Sequence, residues 1–318
     1  MTMSFISGDR QVLLFRFFQQ IKPFTFRILF GASFLSLFIY CSDLSDDNLY
    51  GDKNFTFTVA DVGQGLAQFG VCNDKAIVWD MGSASQYSAW RGAYERLGRP
   101  VIEMIVISHS DEDHFGGLSR LGNDTKWNGT VAVSPFEDTA KIRERAGDWS
   151  SRINFRFFTR GDSIKLFDFV DIICLWPPHP KEIADTEEFS VSGGPLNGMM
   201  RNRLSLVFSV AHGHNRALVT SDIDSVAMSA IAAHSGYDLR AQIFVVPHHA
   251  SAGSVNTLFF SYVSPQNAVI SCSRTNSYGH PSRRMLDALL DSGASIFYTY
   301  IDGTLTFESN GYYWSVRN

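Results

Sequence analysis

The chain has 318 residues, 45% of them hydrophobic and 14% aromatic, and a formal charge of −5. That composition excludes a disordered or fibrous chain and suffices for one large domain or two ordinary ones with a full core. Residues 1–41 carry Arg10, Arg16, Lys22 and Arg27 against Asp9, a local +3, so the remainder stands at −5 − 3 = −8 and lacks the general basic surface of a protein that grips long nucleic acid.

Residues 1–23 give no fold signal. Residues 28–41 are uncharged and follow Arg10, Arg16, Lys22 and Arg27, the order of a secretory signal or membrane anchor. The run ends at Cys41 and passes into a polar linker, residues 42–48. This resembles a bacterial lipoprotein signal with Cys41 as the lipidated residue, although Phe38-Ile39-Tyr40 departs from the small residues usual before it. Residues 1–48 are therefore set apart as signal or anchor and linker, with membrane anchoring through residues 24–41. Residues 49–318 are expected to form the catalytic domain, exported or anchored on the periplasmic or extracellular face. The other cysteines, Cys72, Cys174 and Cys272, form no Cys-x-x-Cys pair, which argues against a thiolate zinc site and leaves a disulfide between two of them open.

Residues 55–60 alternate with strand period and run into Asp61-Val62-Gly63-Gln64-Gly65, a tight turn. Residues 66–72 and 76–79 read as the next two strands, ended by Asp80-Met81-Gly82, and residues 88–97 as a helix stopped at Gly98. The apolar run 101–107 reads as a buried strand of a mainly parallel sheet. Directly after it, His109, Asp111, Glu112, Asp113 and His114 crowd two imidazoles and three carboxylates into six residues. Such groups repel or desolvate one another unless a cation neutralises them, and imidazole nitrogen and carboxylate oxygen suit Zn²⁺, Mn²⁺ or Fe. The cluster stands at the carboxyl end of a strand, where open α/β sheets place ligands, and Gly116-Gly117 admits a close backbone before a helix near Leu118.

Residues 130–134, 154–158 and 163–175 read as strands, and the stretch 181–198 as a polar loop after the rigid Trp176-Pro177-Pro178-His179-Pro180. A strand is expected from Arg201 through Phe208, and another ends at Asp222, a lone carboxylate after an apolar run. His212 and His214 lie in the hairpin between them, at the opposite end from Asp222, and read as solvated turn residues. Residues 241–247 form a buried strand that delivers His248-His249. Adjacent strand side chains alternate, so one of the pair is expected to ligate and the other to meet substrate. His280 follows in a turn after the strand 268–272, a placement suited to a leaving group or phosphate.

The pattern His109-x-Asp111-x-Asp113-His114 resembles the metal signature of the metallo-β-lactamase fold, in the ComEC-type branch where Asp replaces the second His. Asp61-Val-Gly-Gln-Gly, Asp80-Met-Gly, Asn202-x-x-Ser205, Thr220-Ser221-Asp222, His248-His249-Ala250-Ser251 and Asn276-x-Tyr278-Gly279-His280-Pro281 follow the family's order. Ser221 and Ala250 stand where the family has Gly. The resemblance spans about residues 54–308 and implies an α/β (α+β) fold, an αββα sandwich of two facing sheets with helices outside. It also implies two divalent ions, Zn²⁺ or Mn²⁺. His109, Asp111 and Asp222 would hold one, and Asp113, His114, Asp222 and one of His248 and His249 the other, with Asp61, Gln64 and Asp80 as supports. The activity implied is hydrolysis of a phosphodiester, in DNA or a cell-surface polymer, by a metal-bridging hydroxide. Asp113, His248, His249 and His280 are the catalytic candidates, and Arg203, Asn202, Ser205, Arg274 and Asn276 the substrate-binding ones. The other readings are hydrolysis of a small ester or β-lactam and a non-catalytic metal-binding module; no protein partner is inferable.

Overall fold

The computed structural model describes residues 54–166, 168–183, 189, 196–235 and 239–317. In chain order the strands are β1 (Phe55–Val59), β2 (Gln68–Cys72), β3 (Lys75–Trp79), β4 (Val101–Val106), β5 (Thr130–Val133), β6 (Asn154–Phe157), β7 (Ser163–Leu166) and β8 (Val170–Trp176). They continue as β9 (Val207–His212), β10 (Asn215–Val219), β11 (Ile243–Val245), β12 (Asn267–Ile270), β13 (Ser295–Tyr298), β14 (Leu305–Ser309) and β15 (Trp314–Arg317). Sheet one has the order β15-β14-β1-β2-β3-β4-β5-β6 and sheet two the order β13-β12-β11-β10-β9-β8-β7.

Strand periodicity explains the layering. In β11 all three residues are buried, yet Ile243 and Val245 enter the core between the sheets while Phe244 joins the layer beneath the outer helices. The inter-sheet core joins Phe57, Trp79 and Val106 of sheet one to Phe208, Val219 and Val245 of sheet two. Helices Tyr87–Arg96 and Thr139–Arg145 cover sheet one through Trp90, Tyr94 and Ile142. Helices Ser225–Ser235, Thr257–Val263 and Arg283–Asp291 cover sheet two through Met228, Phe259, Phe260 and Leu289. Each fully buried side chain of that size contributes about 1.5–3 kcal/mol. The result is the expected αββα sandwich.

Several sequence expectations change. Sheet one is mixed rather than mainly parallel. β3 to β6 run parallel, but the short turns joining β1, β2 and β3 force antiparallel pairing. The stretch 163–175 is a hairpin, β7 and β8, that turns near Asp168 with φ 51°. Arg201–Arg203 lies in a helix, Gly198–Arg203, capped where Asn197 Oδ1 accepts from Met200 N at 2.9 Å. The helix placed near Leu118 begins at Glu112, inside the acidic motif, and a 3-10 turn, Gly116–Arg120, follows it. His212 is not solvated. It is buried between the rings of Phe55 and Phe169, with Nδ1 2.8 Å from Ser309 Oγ. Cys72, Cys174 and Cys272 are buried free thiols. The signal, anchor and linker assigned to residues 1–48 lie outside the described residues, among which no helix is long and apolar enough to cross a membrane.

Candidate metal centre

The carboxyl ends of β3, β4, β10, β11 and β12 meet on one side of the sandwich. Sheet one contributes first. Asp80, just beyond β3, accepts from Ser108 N at 2.8 Å and Ser108 Oγ at 2.7 Å, and its Oδ2 lies 2.7 Å from His114 Nδ1. That carboxylate fixes the ring and aims Nε2 at Asp222 Oδ1, 3.2 Å away. His109 is fully buried, with Nδ1 3.1 Å from Ser108 Oγ and Nε2 3.7 Å from Asp111 Oδ2 and 4.0 Å from Asp222 Oδ2. Glycine makes this packing feasible, since a Cβ on Gly117 would stand 2.5 Å from the Met81 carbonyl oxygen and one on Gly65 2.6 Å from that of Asp113.

Sheet two answers with unusual backbone. Ser221, His248, His249 and Ala250 have φ of 47°, 52°, 53° and 68°. Strand alternation therefore does not separate the two histidines. His249 Nε2 lies 3.3 Å from Asp113 Oδ2 and 3.7 Å from Asp222 Oδ1, and its Nδ1 lies 2.8 Å from the Ser271 carbonyl oxygen as donor. His248 Nε2 lies 3.6 Å from the other oxygen of Asp222 and 3.3 Å from Asn202 Nδ2. The carboxylate of Asp222 thus divides the site, with Oδ1 facing His114 and His249 and Oδ2 facing His109 and His248.

Ligand-type atoms of His109, His114 and Asp222, and of Asp113, His114 and His249, form two groups within 4.8 Å. Nε2 of His109, His114 and His249 and Oδ1 of Asp222 are buried without a hydrogen-bond partner. Orphaned polar atoms of this kind cost about 1–3 kcal/mol each, so their convergence is the cradle a divalent cation fits. The charges agree. Burial favours neutral Asp222, but His114 and His249 outweigh it and hold the carboxyl well below its usual range. Burial would likewise lower His114, yet Asp222 and Asp80 hold it well above. His249 is raised in the same way, against its burial, by Asp222 and Asp113. Burial, reinforced by His114, pushes His109 down to about 4.

The remaining predicted residues divide. His280 stands beside the histidine pair, its ring centroid 5.8 Å from that of His248 and 6.2 Å from that of His249. Burial, with His249 and His248 next, pushes it down to about 4. Asn202 reaches His248. Ser205 does not face the cleft: it is completely buried and donates to the Asn202 carbonyl at 2.8 Å. Asn276 is likewise a loop brace, its Oδ1 accepting from Tyr278 N and His280 N and its Nδ2 donating to the Ser273 and His280 carbonyls. Arg203 is committed to Asp224 through Nε and Nη2, both at 2.8 Å, and Arg274 lies over the Tyr300 ring at 5.6 Å. Neither contact places a guanidinium at the metal centre. His179 is exposed and accepts from Lys181 N. Asp61 accepts from Gly63 N within its own turn, and Gln64 accepts from Ser273 N.

Sequence reasoning missed Arg201, which grips Asp111 Oδ1 through Nε at 2.9 Å and Nη2 at 2.7 Å. It also missed Glu137, a buried carboxyl that burial pushes up to about 7 and that accepts from Ser110 N at 3.1 Å. Only the basic run Arg201-Asn202-Arg203 could have flagged the first, and nothing local flags the second.

A family model of the metallo-beta-lactamase superfamily matches residues 71–274, and the chain belongs to that superfamily. It is thereby a metal-dependent hydrolase, of a fold that uses divalent metals, usually zinc. It is 28% identical over 255 residues to the competence protein ComA of Neisseria gonorrhoeae, covering 79% of this chain and 32% of that protein. It is 23% identical over 269 residues to ComE operon protein 3 of Bacillus subtilis, with 78% and 32% covered. The chain thus spans about a third of the length of these curated relatives. Among solved structures, the metallo-beta-lactamase fold protein YhfI of Bacillus subtilis aligns with a TM-score of 0.50 at 12% identity, over 81% of this chain and 100% of that one.

Proposed function

We propose that this chain is a dinuclear metal-dependent phosphodiesterase. The observation that carries the reading is the orientation of Asp222, whose two carboxylate oxygens face two separate sets of histidines. His109, Asp111 and Asp222 would hold one ion on the Oδ2 side, with His248 beside them; Asp113, His114, His249 and Asp222 would hold the second. Bound there, such ions would supply an activated water at neutral pH and offset charge on phosphoryl oxygens.

The chain's own groups do the rest. Asp80 and the Ser271 carbonyl hold His114 and His249 with Nε2 inward. Arg201 grips Asp111 by Oδ1 and so keeps Oδ2 turned toward His109. His280 has a buried Nδ1 without a hydrogen-bond partner and stands beside His248, where its neutral ring can steady a phosphate through a hydrogen bond. The apolar stretch 28–41 supports placing the domain at a membrane surface, exported or anchored. The test is turnover of bis-p-nitrophenyl phosphate with Zn²⁺ or Mn²⁺, beside a chromogenic β-lactam. Turnover of the diester is expected; turnover of the β-lactam alone would move the chain to the other class of hydrolase.

A further inference from the structure

We propose that Asp80 governs a second metal ligand besides His114: through the hydroxyl of Ser108 it fixes the tautomer of His109, which makes Ser108 a positioning residue. The inference deepens the dinuclear reading at one ligand, and its first test needs no metal.

His109, His114 and His249 are not anchored alike. His114 Nδ1 meets a carboxylate, Asp80, and His249 Nδ1 meets the Ser271 carbonyl. Both partners only accept, so each of these rings carries a proton on Nδ1. The Nδ1 of His109 meets hydroxyls instead, Ser108 Oγ at 3.1 Å and Ser221 Oγ at 3.4 Å. A hydroxyl can donate or accept, so these two contacts alone allow the ring its proton on either nitrogen. The ring is neutral, since burial with His114 pushes it down to about 4, and it has one N–H to place.

Counting the hydroxyl protons removes the choice. Ser108 Oγ lies 2.7 Å from Asp80 Oδ2, a carboxylate oxygen that cannot donate, so the Ser108 proton is spent there. Ser221 Oγ lies 2.6 Å from Ser108 Oγ, and with the Ser108 proton engaged the one between them belongs to Ser221. Both hydroxyls thus turn lone pairs toward His109. Its proton must sit on Nδ1, which leaves the Nε2 lone pair facing Asp111 and Asp222 without a hydrogen-bond partner among the described residues. Asp80, Ser108, His109 and Ser221 are all buried, so bulk water offers no competing partner. Donation runs from Ser221 to Ser108 to Asp80, and the carboxylate at the end sets its direction. The relay also joins the sheets, because Ser108 precedes His109 after β4 and Ser221 precedes Asp222 after β10.

The experiment reads the ring nitrogens by long-range ¹H–¹⁵N correlation in the full metal-free chain labelled at histidine, at about pH 8, above the ordinary imidazole value. His109 is identified by the signals lost in His109→Gln. The parent is expected to carry the His109 proton on Nδ1. In Asp80→Asn the Ser108 backbone N–H still requires the side-chain oxygen, so the new amide group faces Ser108 Oγ and donates to it. A hydroxyl proton is then released to His109 Nδ1, and the ring is expected to invert to the Nε2–H form. Ser108→Ala is expected to invert it too, because Ser221 loses its acceptor and turns to His109 Nδ1. Ser221→Ala leaves the Ser108 proton on Asp80 and is expected to keep Nδ1–H, a division between the two serines that mere packing would not produce. Zn²⁺ affinity in Ser108→Ala, read by competition with a chromogenic chelator, is expected to fall about tenfold. An unaltered circular dichroism spectrum in each variant shows that the fold is intact. Nε2–H in the parent, or Nδ1–H persisting in either Asp80→Asn or Ser108→Ala, would overturn the relay. The expected tautomers in a parent that binds a single Zn²⁺ would instead defeat the dinuclear reading and leave the relay standing.

Discussion

Sheet one delivers His109, Asp111, Asp113 and His114 through an extended segment and a single helical turn, while sheet two delivers Asp222, His248 and His249 through left-handed backbone at Ser221, His248, His249 and Ala250. In the first half the close approaches occur at Gly65, Gly116 and Gly117, residues that tolerate them, and the left-handed position at the site is Asp80, φ 57°, an aspartate, which visits that region more readily than most residues. In the second half, non-glycine residues sit where each left-handed conformation costs about 1–2 kcal/mol. Such strain persists only where the surroundings impose it. Here Ser221 Oγ meets Ser108 Oγ at 2.6 Å, His248 N donates to the Ser221 carbonyl at 2.9 Å, and Ser282 N donates to the Ala250 carbonyl at 2.9 Å. The two halves are therefore unequal: one rests on its own fold, and the other is held taut against it around Asp222.

The strongest way to break that comparison is to remove the group both halves share. Asp222→Ala is expected to lower hydrolysis by at least about 1,000-fold, roughly 4 kcal/mol, and to abolish metal binding at the proposed centre while circular dichroism stays native. Metal content and turnover of the variant report this directly. Full activity in it would remove Asp222 from the centre of the site.

Asp80→Asn probes the self-supporting half. Asn tolerates the φ of 57° at this position but brings no charge to His114. Metal affinity is expected to fall about 10- to 100-fold, read by competition with a chromogenic chelator. Unchanged affinity would mean that something other than Asp80 aims His114.

Protonation sharpens the contrast further. In the metal-free chain His114 and His249 are held above their usual values, so each keeps its proton to higher pH than a free imidazole, and ligation must displace that proton. Metal binding at pH 7 is expected to release protons and to tighten as pH rises, which calorimetry in buffers of different ionisation enthalpy measures. The same shifts act on stability. His114, raised on folding, contributes fully below about 6.5, and the contribution fades as pH climbs through its higher folded value. Asp222, depressed on folding, contributes above about 3.9 and fades only as pH falls toward its lower folded value. The metal-free thermal midpoint should therefore decline from neutral to alkaline pH, and a midpoint that rises there would contradict these pairings.

Much of this was legible because the signals are local. His109 through His114, Asp222 and His248-His249 each follow an apolar run, and such runs mark strand ends without knowledge of the partner strand. What stayed hidden depended on distant partners or on a few dihedral angles. Arg201 and Arg203 look equivalent in a stretch that reads as strand, yet the short helix Gly198–Arg203 sends one to Asp111 and the other to Asp224. A helix of that length is too short to show periodicity. Ser205 and Asn276 sit in motifs and look like substrate contacts, but their hydrogen bonds are consumed within their own loops. The alternation argument for His248 and His249 assumed strand backbone, and two left-handed residues cancel it.

The finest comparison exchanges one methyl group in each half. A Cβ on Gly117 meets the Met81 carbonyl oxygen at 2.5 Å, where backbone must move, so Gly117→Ala is expected to cost about 2 kcal/mol or more. Ala250→Gly runs the other way. It relieves about 1 kcal/mol of left-handed strain and gives up a buried methyl worth about 0.8 kcal/mol, with some added freedom in the unfolded chain. The terms nearly cancel, and the unfolding free energy should move by less than about 1 kcal/mol in denaturant titrations. Metal affinity separates strain from packing. If the taut backbone is what aims His249, releasing it at the next residue should weaken metal binding even though stability hardly changes. Equal affinity in the Gly variant would show that the Ser271 carbonyl and Asp113 alone orient the ring.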